Sequence, residues 1–281
     1  MPDLKFLLKV SRPRFWFYIF GPYILGLLAG VATRGELSNG IYILLAIYFL
    51  YPANLLIYGV NDIFDYETDK LNPKKTDYES FVTPERRSGL WLAIFLANFA
   101  FVGILWLENA PASVSAVIFI LLSVFYSAPP IRAKSKPFLD SAFNILYIMP
   151  GVFSFAVATG RFPPGQSILA GGLWTAAMHA YSAIPDIEAD REAGLKTIAT
   201  VLGPYATLAV CVVLYTSAAI ISSEYLGFLS LSLGGVYVIL MLASMRSVKT
   251  GRLFKLYRAF PLINILAGAL IFWQIALAKF L

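Results

Sequence analysis

Nine apolar stretches, at roughly 15–33, 41–60, 89–107, 111–127, 139–159, 167–185, 205–222, 225–244 and 259–279, alternate with polar segments along the chain. Each approaches the roughly 20 residues that a helix needs to cross a bilayer core. The pattern predicts an all-α, polytopic membrane protein with nine transmembrane helices. No polar stretch is long enough for a separate soluble domain, so residues 1–281 are expected to form a single transmembrane domain. Pro52, Pro150, Pro185 and Pro261 fall inside or at the ends of spans, where kinks can open a cavity between helices.

The polar segments differ in charge, and the difference sets an orientation. Of the 22 Lys and Arg, all but Arg34, Arg161 and Lys279 lie at the N-terminus or in the segments after even-numbered spans. Under the positive-inside rule those segments face the cytoplasm, with the N-terminus beside them and the C-terminus outside. A composition of 59% hydrophobic and 14% charged residues agrees with a chain made mostly of spans. The net charge of +6 follows from the orientation and calls for no nucleic acid. Met1 to Arg14 is basic without a short apolar core and small-residue cleavage site, so it reads as the lead-in to an uncleaved first helix. Cys211 is the single cysteine and sits in span seven, where packing is its expected role.

Two acidic runs break the apolar pattern at the cytoplasmic ends of spans two and six. Asn61-Asp62-Ile-Phe-Asp65-Tyr-Glu67-Thr-Asp69 is the first, and Pro185-Asp186-Ile-Glu188-Ala-Asp190-Arg191 the second. Asp65 and Asp69, like Asp186 and Asp190, are four residues apart and would share one face of a helix. Read as one helix, Asn54, Tyr58, Asn61/Asp62, Asp65 and Asp69 line a single face. Carboxylates crowded beside lipid are costly unless a cation occupies them, which makes a metal site the leading reading. Magnesium prefers few protein carboxylates, retained waters and phosphate oxygens, so facing Asp pairs could each hold one ion with a diphosphate between. Glu67, Asp77, Glu79 and Glu85 read instead as solvated loop acids.

Cations follow both runs: Lys74, Lys75, Arg86 and Arg87 after the first, Arg191 and Lys196 after the second. Arg132 and Lys134 follow Tyr126-Ser-Ala-Pro-Pro, a rigid turn that would aim them, and suit phosphate by fork and point charge respectively. Topology signalling accounts equally well for any one of these cations. Most aromatic residues belong to packing, although a few lining a cavity could shield an allylic cation. His179, alone in its span, reads first as a packing residue, and Asp140 fits a helix N-cap as well as a steering acid.

Together the two runs resemble the paired metal-binding motifs of the UbiA superfamily of intramembrane prenyltransferases, and the Tyr126-to-Lys134 loop is similar to that family's loop after span four. The resemblance implies a helical bundle around a central cavity. In it Asp62, Asp65, Asp69, Asp186 and Asp190 hold two Mg²⁺ that bind a prenyl diphosphate, and Asp62, Asp65, Asp186 and Lys134 carry catalysis. Asn61, Tyr126, Arg132, Lys134 and Lys196 would contact the diphosphate. The acceptor would be lipophilic, such as a carotenoid or quinone precursor, met in the cell membrane at a site open to the cytoplasm. Ala183 stands where many members carry a third acid, and Asn72-Pro-Lys-Lys75 where many carry Arg-Pro. Those departures, with Ser11-Arg-Pro-Arg-Phe-Trp16 and Pro137-Phe-Leu-Asp-Ser141, look like the lycopene elongase branch, which adds C5 units to a carotenoid end. A quinone, aromatic-ring or ether-lipid prenyltransferase is the alternative. An ion-coupled transporter is a different class, but it would be expected to place charge mid-span, and these spans carry none there.

Overall fold

A computed structural model of the chain describes residues 2–66, 82–107, 109–250 and 253–281. Asp69, Lys74 and Lys75 lie outside the described residues. The described chain is helical without strands. In order its helices are α1 Leu4–Val10, α2 Phe17–Gly30, α3 Gly40–Leu50, α4 Pro52–Phe64, α5 Pro84–Leu107 and α6 Ala110–Phe125. There follow α7 Leu139–Ala142, α8 Met149–Thr159, α9 Gly165–Ala183, α10 Ile187–Glu192, α11 Ile198–Leu226, α12 Phe228–Ser247 and α13 Leu253–Phe280.

The apolar segments all fall on helix. Among the described residues five stretches are long and apolar enough to cross a membrane: Gly40–Phe64, Leu139–Thr159, Ile198–Leu226, Phe228–Ser247 and Leu253–Phe280. Phe17–Gly30 and Ala110–Phe125 are shorter apolar helices. Large apolar side chains such as Ile43, Val213, Phe228, Ile239 and Trp273 stand exposed on these helices. Exposure on that scale suits lipid rather than water.

Several predicted spans are interrupted, and each interruption has a local cause. Tyr51 precedes Pro52, and its non-helical backbone separates α3 from α4. Pro52 lacks an N–H, which leaves carbonyls of the preceding turn open. Asn54, fully buried, mends this by donating its amide to the Phe49 and Leu50 carbonyls at 3.1 and 3.0 Å. Its amide nitrogen therefore serves the kink rather than a polar face. Span five is the four-residue α7, a 3-10 turn over Phe143–Tyr147, and α8 with Pro150 near its start. Gly203, with a φ of 74° ahead of Pro204, kinks α11 near its beginning.

The chain forms two compact units. The first comprises Met1–Arg132 and Leu146–Phe162; the second comprises Ala133–Ile145 and Pro163–Leu281. In the first, α2 packs on α8 so closely that a Cβ on Gly26 would collide with the Gly151 carbonyl. Small residues permit such backbone contact within a membrane. Ser154 adds a hydrogen bond across the same pair, donating to the Tyr23 carbonyl at 2.7 Å. Beside it, Phe49 stands at the centre of an aromatic cluster with Tyr23, Phe119 and Phe153, whose ring centroids lie 5.2–5.6 Å from its own. Gly26→Leu is expected to force α2 off α8 and lower the melting temperature in detergent, since overpacking costs about 1–3 kcal/mol or more. An unchanged melting curve would show that the contact is slack.

In the second unit, α11 packs on both α9 and α12, and α9 also carries α7. The α11–α12 contact is again close: a Cβ on Gly234 would overlap the Ala219 side chain. Tyr215 and Tyr237 stack at 4.6 Å between the same helices. Tyr237 donates its hydroxyl to Asn264 on α13 at 2.8 Å, which satisfies two buried polar groups together.

Candidate active site

In the first unit, α4 delivers its acids at its carbonyl end. The helix stops at Phe64 with Asp65 as its C-cap, so the face predicted to run from Asn54 through Asp69 ends here. Asp62 is 1% exposed and Asp65 6% exposed. A helix C-terminus carries partial negative charge, and carboxylates there are unfavourable unless a cation answers them. Arg12 is one such cation. Its guanidinium donates to Asp62 Oδ1 at 2.7 Å, approaches Asn61 Oδ1 at 3.5 Å and lies 4.8 Å over the Tyr58 ring.

The backbone that presents Arg12 is unusual. Arg12 has a φ of 51°, in the left-handed region, directly before Pro13. A non-glycine residue costs about 1–2 kcal/mol there. Trp16 helps hold the turn by donating its indole N–H to the Ser11 carbonyl at 3.0 Å. Arg132, another of the three non-glycine residues with positive φ among those described, takes 45°. Asn61 donates to the Ser127 hydroxyl at 3.0 Å, and Ser127 follows Tyr126, the C-cap of α6. The first unit thus brings Asn61, Asp62, Asp65 and Arg12 together with the Tyr126–Ser127 turn.

In the second unit, Asp186 is the N-cap of α10 and Asp190 lies in that helix's first turn. This end of a helix favours negative charge, unlike the carbonyl end of α4. Both acids are half-buried. Arg191 turns away to the Thr200 carbonyl at 3.2 Å, and Lys196 is exposed. Lys134, in a short 3-10 turn, is buried. Asp140 is fully buried, accepts from the Ser141 and Ile198 backbone N–H groups at 2.9 and 2.8 Å, and lies 3.7 Å from His179 Nε2.

The donor chemistry fits a hard cation. Among the described residues no group of three or more acids, histidines or cysteines gathers, and the acids of the two runs are carboxylates, with no sulfur beside them in sequence. Paired oxygen donors with room for water and phosphate are what Mg²⁺ takes, whereas a soft-metal site would need sulfur or imidazole. The main residue that sequence reasoning missed is Arg12. The sequence shows it as a topology charge and as part of the Ser11-to-Trp16 segment, with no place in the site, yet the arginine before Pro13 was a readable sign of a fixed turn.

Buried carboxylates at the ends of apolar helices define the class: a multi-pass helical membrane protein built around polar chemistry. Residues 19–261 match the UbiA prenyltransferase family. A lycopene elongase/hydratase of Haloarcula japonica is 44% identical over 219 residues, covering 78% of this chain and 74% of that protein. One from Halobacterium salinarum is 39% identical over 271 residues, covering 94% of each. The fold is that of a UbiA homolog from Archaeoglobus fulgidus bound to GPP and Mg²⁺, with a TM-score of 0.73, 18% identity, and coverage of 96% of this chain and 99% of that one. The chain belongs to the UbiA prenyltransferase family and is a prenyltransferase.

Proposed function

We propose that this enzyme transfers a C5 prenyl group from dimethylallyl diphosphate to an end of lycopene, in the membrane and with Mg²⁺. The acceptor rests on relatives of 38–44% identity, all lycopene elongase/hydratases, whose name pairs chain extension with addition of water. The diphosphate end rests on one observation above others: Asp62 and Asp65 are buried where a helix already concentrates negative charge. Asp62, Asp65, Asp69, Asp186 and Asp190 would hold the metal. Bound there, Mg²⁺ supplies positive charge that makes diphosphate a better leaving group.

The remaining roles belong to the chain itself. Arg12 fixes the orientation of Asp62 and adds a permanent positive charge beside it. Asn61, held by Ser127, presents a polar group to the diphosphate, with Tyr126 and Arg132 close in sequence to that anchor. Lys134 and Lys196 supply charge from the second unit, Lys134 from a buried position where a point charge is screened least. As the bond between the prenyl carbon and the diphosphate oxygen breaks, the electron pair leaves with diphosphate and an allylic cation remains. A double bond of the acceptor then attacks that cation. In the membrane we read nine crossings acting as one domain, with the N-terminus and both acidic runs facing the cytoplasm.

Expression in a lycopene-producing host, followed by mass analysis of the pigments, tests the acceptor. One or two added C5 units, with or without water, are expected. Unchanged lycopene alongside a prenylated quinone precursor or ether lipid would overturn this choice of acceptor.

A further inference from the structure

Asp140 and His179 form a buried acid–imidazole pair in the second unit that ionisation of the donor does not use. Asp140 is 0% exposed, and backbone N–H groups of Ser141 and Ile198 fix its two oxygens. His179 Nε2 stands 3.7 Å from Asp140 Oδ2, just beyond hydrogen-bond distance. Its ring retains 17% of its exposure. The polar neighbours on α9 behave differently: Thr175 and Ser182 turn their hydroxyls back onto the Gly172 and His179 carbonyls at 3.0 and 2.8 Å. Ser141, next to Asp140, has a buried hydroxyl with no hydrogen-bond partner among the described residues. Such a group suits an ordered water.

Position along the helix gives the pair its meaning. His179 precedes Asp186 by seven residues, through the end of α9 and the 3-10 turn Ile184–Asp186. That spacing returns nearly to the same face, about 10–12 Å further into the helix. A diphosphate held at Asp186 would leave its prenyl carbon and the acceptor on the His179 side.

The geometry points to His179 as the base that takes the final proton of the reaction, with Asp140 as its positioning residue. This assignment rests on the proposed lycopene reading. After the carbon–carbon bond forms, the acceptor carries a tertiary carbocation. In hydration, a water oxygen bonds to that carbon and the water's proton passes to imidazole. In elimination, imidazole takes a proton from the adjacent carbon, and the C–H electron pair becomes the new double bond. Either way the imidazolium formed faces the Asp140 carboxylate, which stabilises it, as in other base–acid pairs.

The test uses purified full-length protein without a histidine tag, in nanodiscs with lycopene, dimethylallyl diphosphate and Mg²⁺. Extended pigment and released diphosphate are measured separately. His179→Gln is expected to form about 100-fold less extended pigment, while diphosphate release stays within a few-fold as the prenyl group is lost to water. His179→Ala should regain pigment formation with added imidazole, and Asp140→Asn should lower it with the KM for the donor unchanged. A packing role would lower both readouts together and give no rescue. Because His179 is the one histidine in the chain, diethyl pyrocarbonate treatment of wild type tests the same point without a variant. Loss of pigment formation that hydroxylamine restores supports the base. Full modification with pigment formation intact overturns it, as does a His179→Gln enzyme that extends lycopene like wild type. Wild type that releases diphosphate but never extends lycopene defeats the acceptor reading instead.

Discussion

Asp65→Ala and Asp186→Ala should each reduce prenyl transfer by roughly 10³-fold, corresponding to about 4 kcal/mol of lost transition-state stabilisation. The stability effects should differ between the two acids. Asp65 caps the carbonyl end of α4, where its charge opposes the helix dipole. Without Mg²⁺, Asp65→Ala should therefore melt at or slightly above the wild-type temperature. Asp186 sits at the favourable end of α10, so Asp186→Ala should melt slightly lower. Added Mg²⁺ with prenyl diphosphate should raise the melting temperature of wild type, because a ligand that binds only the folded state stabilises it. Both variants should lose most of that rise. Retained turnover, or a full ligand-induced rise in Asp65→Ala, would show that these carboxylates do not hold the metal.

The contrast between the two acid pairs could be read only in part from sequence. Their spacing and their place at the ends of apolar stretches were visible, and so was the family. Which end of a helix each pair occupies depends on where the helix stops, and that is a tertiary outcome. Periodicity continued α4 through Asp69, whereas the described helix ends at Phe64. Asn54 looked like part of the polar face because its spacing was right. Its amide instead repairs the carbonyls freed at Pro52. Arg12 escaped because 50 residues separate it from Asp62, and a basic residue ahead of a first span has a sufficient explanation in topology. The interruption at Tyr51–Pro52 was legible in kind, since proline announces a break, whereas the kink at Gly203 falls just ahead of predicted span seven. The division of span five into α7, a 3-10 turn and α8 was legible only in part: Pro150 announces a break, but Asp140, Ser141 and Asn144 near the start give no helix boundary.

Arg12→Ala should be the most destabilising single change at the site. It leaves the Asp62 carboxylate 1% exposed at a helix carbonyl end without its guanidinium, and removing one partner of a buried ion pair costs about 3–5 kcal/mol. It also strips the cation from the Tyr58 ring. Arg12→Lys should fall between wild type and Arg12→Ala, because an ammonium keeps the charge but cannot spread over Asp62, Asn61 and the ring at once. A double variant, Arg12→Ala with Asp62→Ala, separates stability from chemistry. Removing both charges should recover much of the melting temperature lost in Arg12→Ala, since the buried carboxylate that Arg12 faced is gone as well. Turnover should stay at the level of Asp62→Ala alone, because the acid is needed whatever balances it. If the double variant melts as low as Arg12→Ala, the arginine acts by shaping the Ser11–Pro13 turn rather than by neutralising Asp62. If turnover returns with stability, Asp62 is not part of the site.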